Sequence, residues 1–534
     1  MKKLVLFLLL FITPYSAQAI GQTTDIRYAK DFPGSDYCAK ISAAIVDLPS
    51  SGGTVDALSL VGPQSCAGDP FGGTNKPVTL LIGTSTILVS STWNPAIGSQ
   101  IIGIGPASSI IQANSPGFIL INPAKNNTVS GIDIKGPFLG VYTTSTYPTP
   151  PAVGNIVAIK NAANASECTI GSSNWTNVCQ WNGSAWVNYT WSGKALGQNV
   201  NPGNAPNPSG SCIQATSHVA GNLTLDNVIT EQCASIGVNP GAGNPSGTIR
   251  RLISRNNFNE GLFIPIASEG YTVENVEVSG NLSVGIDVNS GGHTFTNISA
   301  HHNGSTFPKS GDQNGFLILA FCNRGVPTHR TISDITISNL NVSANNTDGL
   351  LIEAYGQNDA SCIGGGVVTR INISNLTANG NGTGSGPGLL GIYDGSGAVA
   401  ASWPWVGNGN GLIDNVSITN CQIDGNAGDG LKLHVSTVNG SNGQILNPAV
   451  TNCKITNNRG VGLNITGGVT NLAATGLTLT GNSGGSYINN GTNSTISFAG
   501  DFTGDGHVNL ADLQAAISSL NIFTYNQVVA NYGK

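Results

Sequence analysis

Short runs of alternating apolar and polar residues recur through the middle of the chain, each broken by Asn and Gly. Asn275–Asn289 (NVEVSGNLSVGIDVN) shows the pattern plainly, and versions of it recur at Asn256–Ile264, Asn345–Glu353, Asp424–His434 and Ile455–Ile465. Alternation with period two predicts β-strands that bury every second side chain. The intervening Asn and Gly predict turns, because both tolerate left-handed backbone. Strand, turn and strand at a regular interval predict a solenoid, whose units stack and bury a shared core. Taking the Gly that opens each second strand as a marker gives Gly237, Gly261, Gly285, Gly315, Gly349, Gly388, Gly430 and Gly462, with spacings of 24, 24, 30, 34, 39, 42 and 32 residues. A three-sided β coil needs about 20–25 residues. The expected fold is therefore all-β, a right-handed parallel β-helix whose coils lengthen from Gly285 onward by insertion. Loops inserted into a rigid scaffold are where binding usually sits.

The flanks depart from this pattern. Residues 1–19 read as a secretory signal: Lys2 and Lys3, the apolar run Leu4–Ile12, and Ala17-Gln18-Ala19 for cleavage. Residues 20–80 read as an N-terminal cap and first coil. Within Asp36–Ala57, Ile41, Ala44, Ile45 and Leu48 fall on one helical face, and Pro49 with Ser-Ser-Gly-Gly ends the helix. A solenoid needs its end covered, and this helix is placed to do so. The β-helix proper is expected over 81–495. It is interrupted at 163–200, where four of the seven tryptophans (Trp175, Trp181, Trp186, Trp191) accompany Cys168 and Cys179. WNGSAWVNYTW predicts a hairpin turning near Asn-Gly, either a disulfide-pinned packing unit or a platform for stacking sugar rings. A Pro/Gly loop, Asn201–Ser211, leads back to the repeat.

Composition narrows the function. Only 9% of residues are charged, against about 25% in ordinary globular proteins. The formal net charge of −6 becomes −8 once Lys2 and Lys3 leave with the signal, which argues against nucleic acid as the main partner. No apolar stretch reaches the length of a membrane span. Ten cysteines in an exported chain imply disulfides. The expected pairs are Cys38–Cys66, Cys168–Cys179, Cys322–Cys362, Cys421–Cys453 and Cys212–Cys233, with stacked free thiols as the alternative for the last two. A monomer in the extracellular space, secreted or surface-attached, is expected. The many Asn-x-Ser/Thr triplets, among them Asn222, Asn297, Asn341, Asn372 and Asn375, read mostly as coil turns with stacked amides.

The helix running through GGTV into PVTLLIGTSTILVSSTW and SQIIGIGPASSIIQAN resembles the N-terminal region of the pectate-lyase superfamily, and the likeness extends over most of residues 30–490. It implies the parallel β-helix already read from the repeat. It also implies a polysaccharide partner, an acidic one, met by lyase or glycoside hydrolase chemistry in a groove on the outer face. The alternative is a non-catalytic glycan-binding or adhesin-like solenoid.

In each marked strand the second and fourth residues after Gly face outward. The candidate catalytic set from this rule and the adjoining loops is Asp287, Glu353, Asp394, Lys432, His434 and Arg324. Tyr355, Trp403 and Trp405 are candidate substrate contacts. Carboxylates with His, Lys and Arg suit either glycosidic hydrolysis or proton abstraction beside a uronate carboxyl, with cations neutralising it. Asn346-Thr347-Asp348-Gly349 matches a polygalacturonase motif, but Leu351 stands where that family has its next Asp, and the Asp-Asp pair and Gly-His-Gly are absent. The motif therefore reads as one more turn. Arg324–Arg330 (RGVPTHR) is one residue too long for the Arg-x-Pro-x-x-Arg of pectate lyases. His301-His302 lacks the acidic partner a metal site would need.

The tail, 499–534, carries a separate signal. Asp501–Asp512 has oxygen side chains at loop positions 1, 3, 5, 9 and 12 and Gly506 at position 6, the spacing of an EF-hand calcium loop. It resembles a dockerin repeat. That resemblance implies Ca2+ held by Asp501, Thr503, Asp505, the His507 carbonyl, Asn509 through water, and Asp512, with a cohesin-like surface protein as partner. Thr503 departs from the usual Asn or Asp, and the second segment, from Asn521 onward, keeps a helix but not its loop.

Overall fold

The computed structural model describes residues 25–142, 152–162, 168, 175–189, 210–216, 221–243, 245–304, 313–321, 331–356, 365–382, 398–404, 411–435, 443–500, 510–518, 527 and 529–532. Nearly all the strands pair in parallel with the strand one coil away, in a broad 22-stranded sheet and a narrow 10-stranded sheet. This is a parallel β-helix. Within the broad sheet the long strands bend at one residue of positive φ, among them Asn227 (55°), Arg251 (53°), Asn275 (56°) and Asn297 (56°). The bend resets the alternation. In Leu223–Glu231, Leu223 and Leu225 point inward before it, and Val228 and Thr230 after it. The broad sheet therefore supplies two faces of each coil and the narrow sheet the third. A single apolar core threads them, from Tyr37 to Phe498.

The second corner is held by buried asparagines. Asn257, Asn281, Asn303, Asn345, Asn381, Asn426 and Asn458 are at most 1% exposed. Each donates its Nδ2 to the Oδ1 of the next, ending on Asn482, at 2.8–3.2 Å. Each Oδ1 also accepts the backbone N–H of the asparagine one coil before, as in Asn345 N–H to Asn381 Oδ1 at 3.1 Å. The residue preceding each ladder position takes positive φ, whether glycine (Gly280, Gly380, Gly425, Gly481) or not (Asn256, His302, Ala344, Asn457). The marker glycines have a different task. A Cβ on Gly285 would lie 2.6 Å from Asn303 Nδ2, and one on Gly315 2.5 Å from Asn345 Nδ2. They are glycine to admit the ladder, not to reach left-handed backbone.

The N-terminal end is closed by α1, Tyr37–Asp47, with Asp36 accepting the Ala39 N–H at 2.8 Å. Its Tyr37, Ile41, Ala44 and Ile45, with Leu48, enter the core, and Lys76 donates to its last carbonyls. The expected disulfides Cys38–Cys66, Cys168–Cys179, Cys212–Cys233 and Cys421–Cys453 are formed, the last two joining neighbouring coils as bonds rather than stacked thiols. Cys322 and Cys362 lie outside the described residues.

The insertion contributes an antiparallel pair, Trp175–Trp181 with Trp186–Asn188, in a four-stranded sheet. Trp181 and Trp186 face each other there with ring centroids 5.7 Å apart. Among the described residues no helix is long and apolar enough to cross a membrane.

Candidate functional site

The narrow sheet sets its outward residues in rows by register. One row runs Phe263, Asp287, Leu317, Leu351, Val399, Lys432, Asn464. The next runs Leu319, Glu353, Ala401, His434. A third pairs Phe321 with Tyr355 and Tyr355 with Trp403. Lys432 and His434 are alternate residues of the strand Leu431–Val435, whose Leu431, Leu433 and Val435 enter the core. Glu353 is in the same row as His434, two strands away, with Ala401 between. At about 4.8 Å per strand this puts their Cα atoms ~10 Å apart, a gap that two long side chains can share with a ligand. The sequence-derived residues Glu353, Lys432 and His434 thus share one stretch of the sheet, Lys432 standing diagonal to Glu353 at ~12 Å between Cα atoms. Tyr355 and Trp403 join them by register.

The other predicted positions do not join the cluster. Asp287 shares a row with Lys432 but stands four strands from it, ~19 Å, where Asn289 Nδ2 donates to its Oδ1 at 2.6 Å. Asp394 requires a correction of coil phase. The strand paired with Leu350–Gly356 is Ala398–Pro404, not a strand opening near Gly388 or Gly391, and Ala401 is the position facing Glu353. The Gly-rich run from Gly386 to Gly397 offers several equivalent markers, which is why the alternation alone misplaced it. Asp394, Arg324, Trp405 and the loop cations Lys309, His329 and Arg330 lie outside the described residues.

The outward rule holds, but its corollary that these residues meet solvent does not. Leu317 (1%), Leu351 (0%), Glu353 (3%) and Lys432 (7%) are all buried. Phe263, Asp287, Leu319, His434 and Asn464 on the same rows are half-buried, so the cover is local, and under it a carboxylate and an ammonium are held where their fields act more strongly than in water. Sequence reasoning also missed Asp429, 7% exposed, which precedes marker Gly430. Its Oδ1 accepts the Val461 N–H and its Oδ2 accepts Asn464 Nδ2, both at 2.7 Å. It is a fixed carboxylate beside the Lys432 row, and a charged residue directly before a marker glycine was the available signal.

Of the discounted motifs, Asn346–Gly349 sits as a turn, His301 ends a strand, and Arg324–Arg330 lies outside the described residues. Asp348 is fully buried between two strands, with its N–H donating to Asn314 Oδ1 at 3.2 Å. His301 faces Glu277 (3.4 Å) and His302 (2.9 Å), and among the described residues no group of three His, Cys, Asp or Glu is placed for a metal. Of the calcium-loop residues only Asp512 is described. It is fully buried in the first turn of α2, Leu510–Ser518.

No protein-family model matches the chain, and no curated protein sequence matches it. Solved structures do. The A-module of Azotobacter vinelandii mannuronan C-5 epimerase AlgE4 superposes with a TM-score of 0.52 at 15% identity, over 89% of this chain and all of that one. The AlgE6 A-module gives 0.51 at 16%, over 88% and 97%. At such identity the likeness is one of fold.

Proposed function

We propose that this protein is a secreted enzyme acting on an acidic polysaccharide, and that it works by proton abstraction beside a uronate carboxyl on the narrow-sheet face. The observation that carries the reading is the placing of buried Glu353 and Lys432 and half-buried His434 on one outward strip, in a chain so poor in charge. Deprotonation next to a carboxylate needs a base and a cation that takes up the charge developing on the carboxylate. Lys432 and His434 offer both from one strand. His434 is assigned as the base at the ring carbon bearing the carboxylate, Lys432 as its neutraliser, and Glu353 as the group across the gap that returns a proton. Loss of the neighbouring glycosidic oxygen, taking a proton from the Glu353 carboxylic acid as it leaves, would complete an elimination, and delivery of that proton by Glu353 to the opposite face of the carbon would instead invert it. Two structures of similar fold carry the name mannuronan C-5 epimerase, which supports a uronate polymer as substrate. Tyr355 and Trp403, partners in register, remain the candidate sugar contacts.

Hydrolysis would need a second carboxylate opposite Glu353; Asp287, two strands and two positions away at ~12 Å between Cα atoms, already accepts Asn289 Nδ2 on its Oδ1.

The test is incubation with a panel of polyuronides, following unsaturated ends by ultraviolet absorbance, reducing ends chemically and inversion by proton NMR. His434→Gln and Lys432→Gln should each lower the rate about 10²–10⁴-fold, with the melting temperature little changed. Binding without turnover of any polyuronide would replace this reading with that of a glycan-binding solenoid.

A further inference from the structure

A second cluster lies on the broad sheet, and nothing in the proposed reaction uses it. The strand Thr128–Lys135 pairs with Leu223–Glu231, which pairs with Gly247–Arg255 and then Tyr271–Ser279. Past the bend, Asp133, Ile229, Ile253 and Glu277 form one outward row, and Lys135, Glu231, Arg255 and Ser279 the next. Glu231 is held from both sides, by Lys135 Nζ on Oε1 and Arg255 Nη2 on Oε2, each at 2.8 Å. At the near end of the same strands, Asp226 is held by Arg250 at 2.9 Å and Arg251 at 2.6 Å.

In both clusters two cations meet one carboxylate, and the carboxylate lies underneath. Side-chain exposure is 34% for Lys135 and 43% for Arg255 over 11% for Glu231. It is 50% and 58% for Arg250 and Arg251 over 14% for Asp226. Each trio therefore turns its cations to solvent with a net charge of +1, on a face that also carries Asp133. Glu274, paired in register with Arg250, and Glu277, 3.4 Å from His301, bound it on the far side.

Two features mark this as a place built for a ligand. Asp133 is only 9% exposed despite its outward position, and its Oδ1 is buried without a hydrogen-bond partner. A buried carboxyl oxygen left unpaired is costly and unusual. Further along its row, without reaching Asp133, a shallow open depression of about 390 Å³ is lined by Arg251, Ile253, Glu277, Asn227, Asn275 and Asn297.

We propose that this strip is a glycan-binding site separate from the narrow-sheet face. It takes an acidic sugar residue, whose carboxylate lies on Lys135 and Arg255 and whose hydroxyl donates to Asp133, with the adjoining sugars running along the depression. The proposal shares the substrate class of the proposed reaction but not its residues. Burial, with the charge of Glu231 added, pushes the Asp133 carboxyl up to about 7 against the opposing pull of Lys135 and Arg255.

Calorimetric titration with oligogalacturonate and oligomannuronate tests it, with a cello-oligosaccharide of equal length as neutral control. Arg255→Gln should weaken uronide binding about tenfold, the worth of one charge-assisted hydrogen bond. Asp133→Asn, which keeps the shape and gives a second measure should the arginine variant fold poorly, should weaken it severalfold. His434→Gln should retain this binding event while losing turnover. Wild-type affinity in a well-folded Arg255→Gln or Asp133→Asn protein overturns the site, as does equal binding of the neutral oligomer. Turnover with unchanged binding in both variants removes this site and leaves the reaction standing. Binding lost in Arg255→Gln with no turnover by the wild type removes the reaction and leaves this site.

Discussion

At the scale of single residues, the buried amides and Asp133 give the sharpest expectations. Asn303 accepts from Asn281 Nδ2 at 2.9 Å and donates to Asn345 Oδ1 and the Val278 carbonyl at 3.2 and 3.1 Å. Asn303→Ala leaves buried polar groups on both neighbouring coils unpaired, so it should cost about 2–4 kcal/mol in denaturant unfolding. Asn339 is also in a ladder, bonded to Asn297 Oδ1 at 2.8 Å, but it is exposed and sits at φ 56°. Asn339→Gly, which suits that backbone, should change stability by well under ~1 kcal/mol. Equal losses at the two sites would refute the distinction between the inner and outer ladders. Asp133 makes a prediction of opposite sign. Its folded pKa is raised from 3.8 to about 7. The folded state therefore holds a proton that the unfolded chain has already released, and stability contributed by this group is lost as pH rises from about 4 through 7. Asp133→Asn should flatten that fall and melt higher than the wild type at pH 8. His293 acts in the other direction: burial lowers its pKa to about 4, so its contribution is lost as pH falls below 6.5.

At the scale of elements, the question is what the alternating pattern could and could not show. It placed Ile286, Val288, Leu350, Ile352, Leu431 and Leu433 in the core and their alternates outward, because burial on one side of a strand leaves a period of two in the sequence. It gave no sign that Leu351, Glu353 and Lys432 are covered as well, since burial on the outer side depends on what packs there rather than on the strand. The turn chemistry was half legible. Asn and Gly do mark corners, but the ladder asparagines are chosen for their amides and the marker glycines for lack of a Cβ, while positive φ falls on other residues. Ala344 at φ 53° is one of these. Ala344→Gly should stabilise the corner by up to ~1 kcal/mol. Gly315→Ala, whose Cβ would meet Asn345 Nδ2 at 2.5 Å and the Gly349 carbonyl at 2.8 Å, should destabilise by at least as much. A Gly315→Ala protein as stable as wild type would mean the ladder does not constrain the marker column. The charged clusters on the broad sheet were invisible for a different reason. Lys135, Glu231 and Arg255 are widely separated in sequence and meet only through register.

At the scale of the whole molecule, the two ends of the solenoid are the open problem, because a terminal coil exposes apolar core and unpaired strand edges. The N-terminal end is closed by α1. At the C-terminal end, Leu513 of α2 packs against the core, and Asn531 Nδ2 donates to the Ala499 carbonyl at 2.7 Å. A capping role for the tail is the expectation these contacts carry. Removal of residues 501–534 should lower the melting temperature by several degrees and promote end-to-end association, measured by light scattering. The calcium reading then becomes a statement about the same cap. Asp512 is buried in the first turn of the helix that carries Leu513, so an ion held by the loop from Asp501 to Asp512 would also fix the angle at which that helix meets the coil. Calcium should then raise the melting temperature of the full chain and slow proteolysis within 501–534, and it should do neither for the β-helix truncated at Gly500. A full-length chain that melts and digests identically with calcium and with chelator would show that the loop closes without the ion, leaving α2 held by the chain's own contacts.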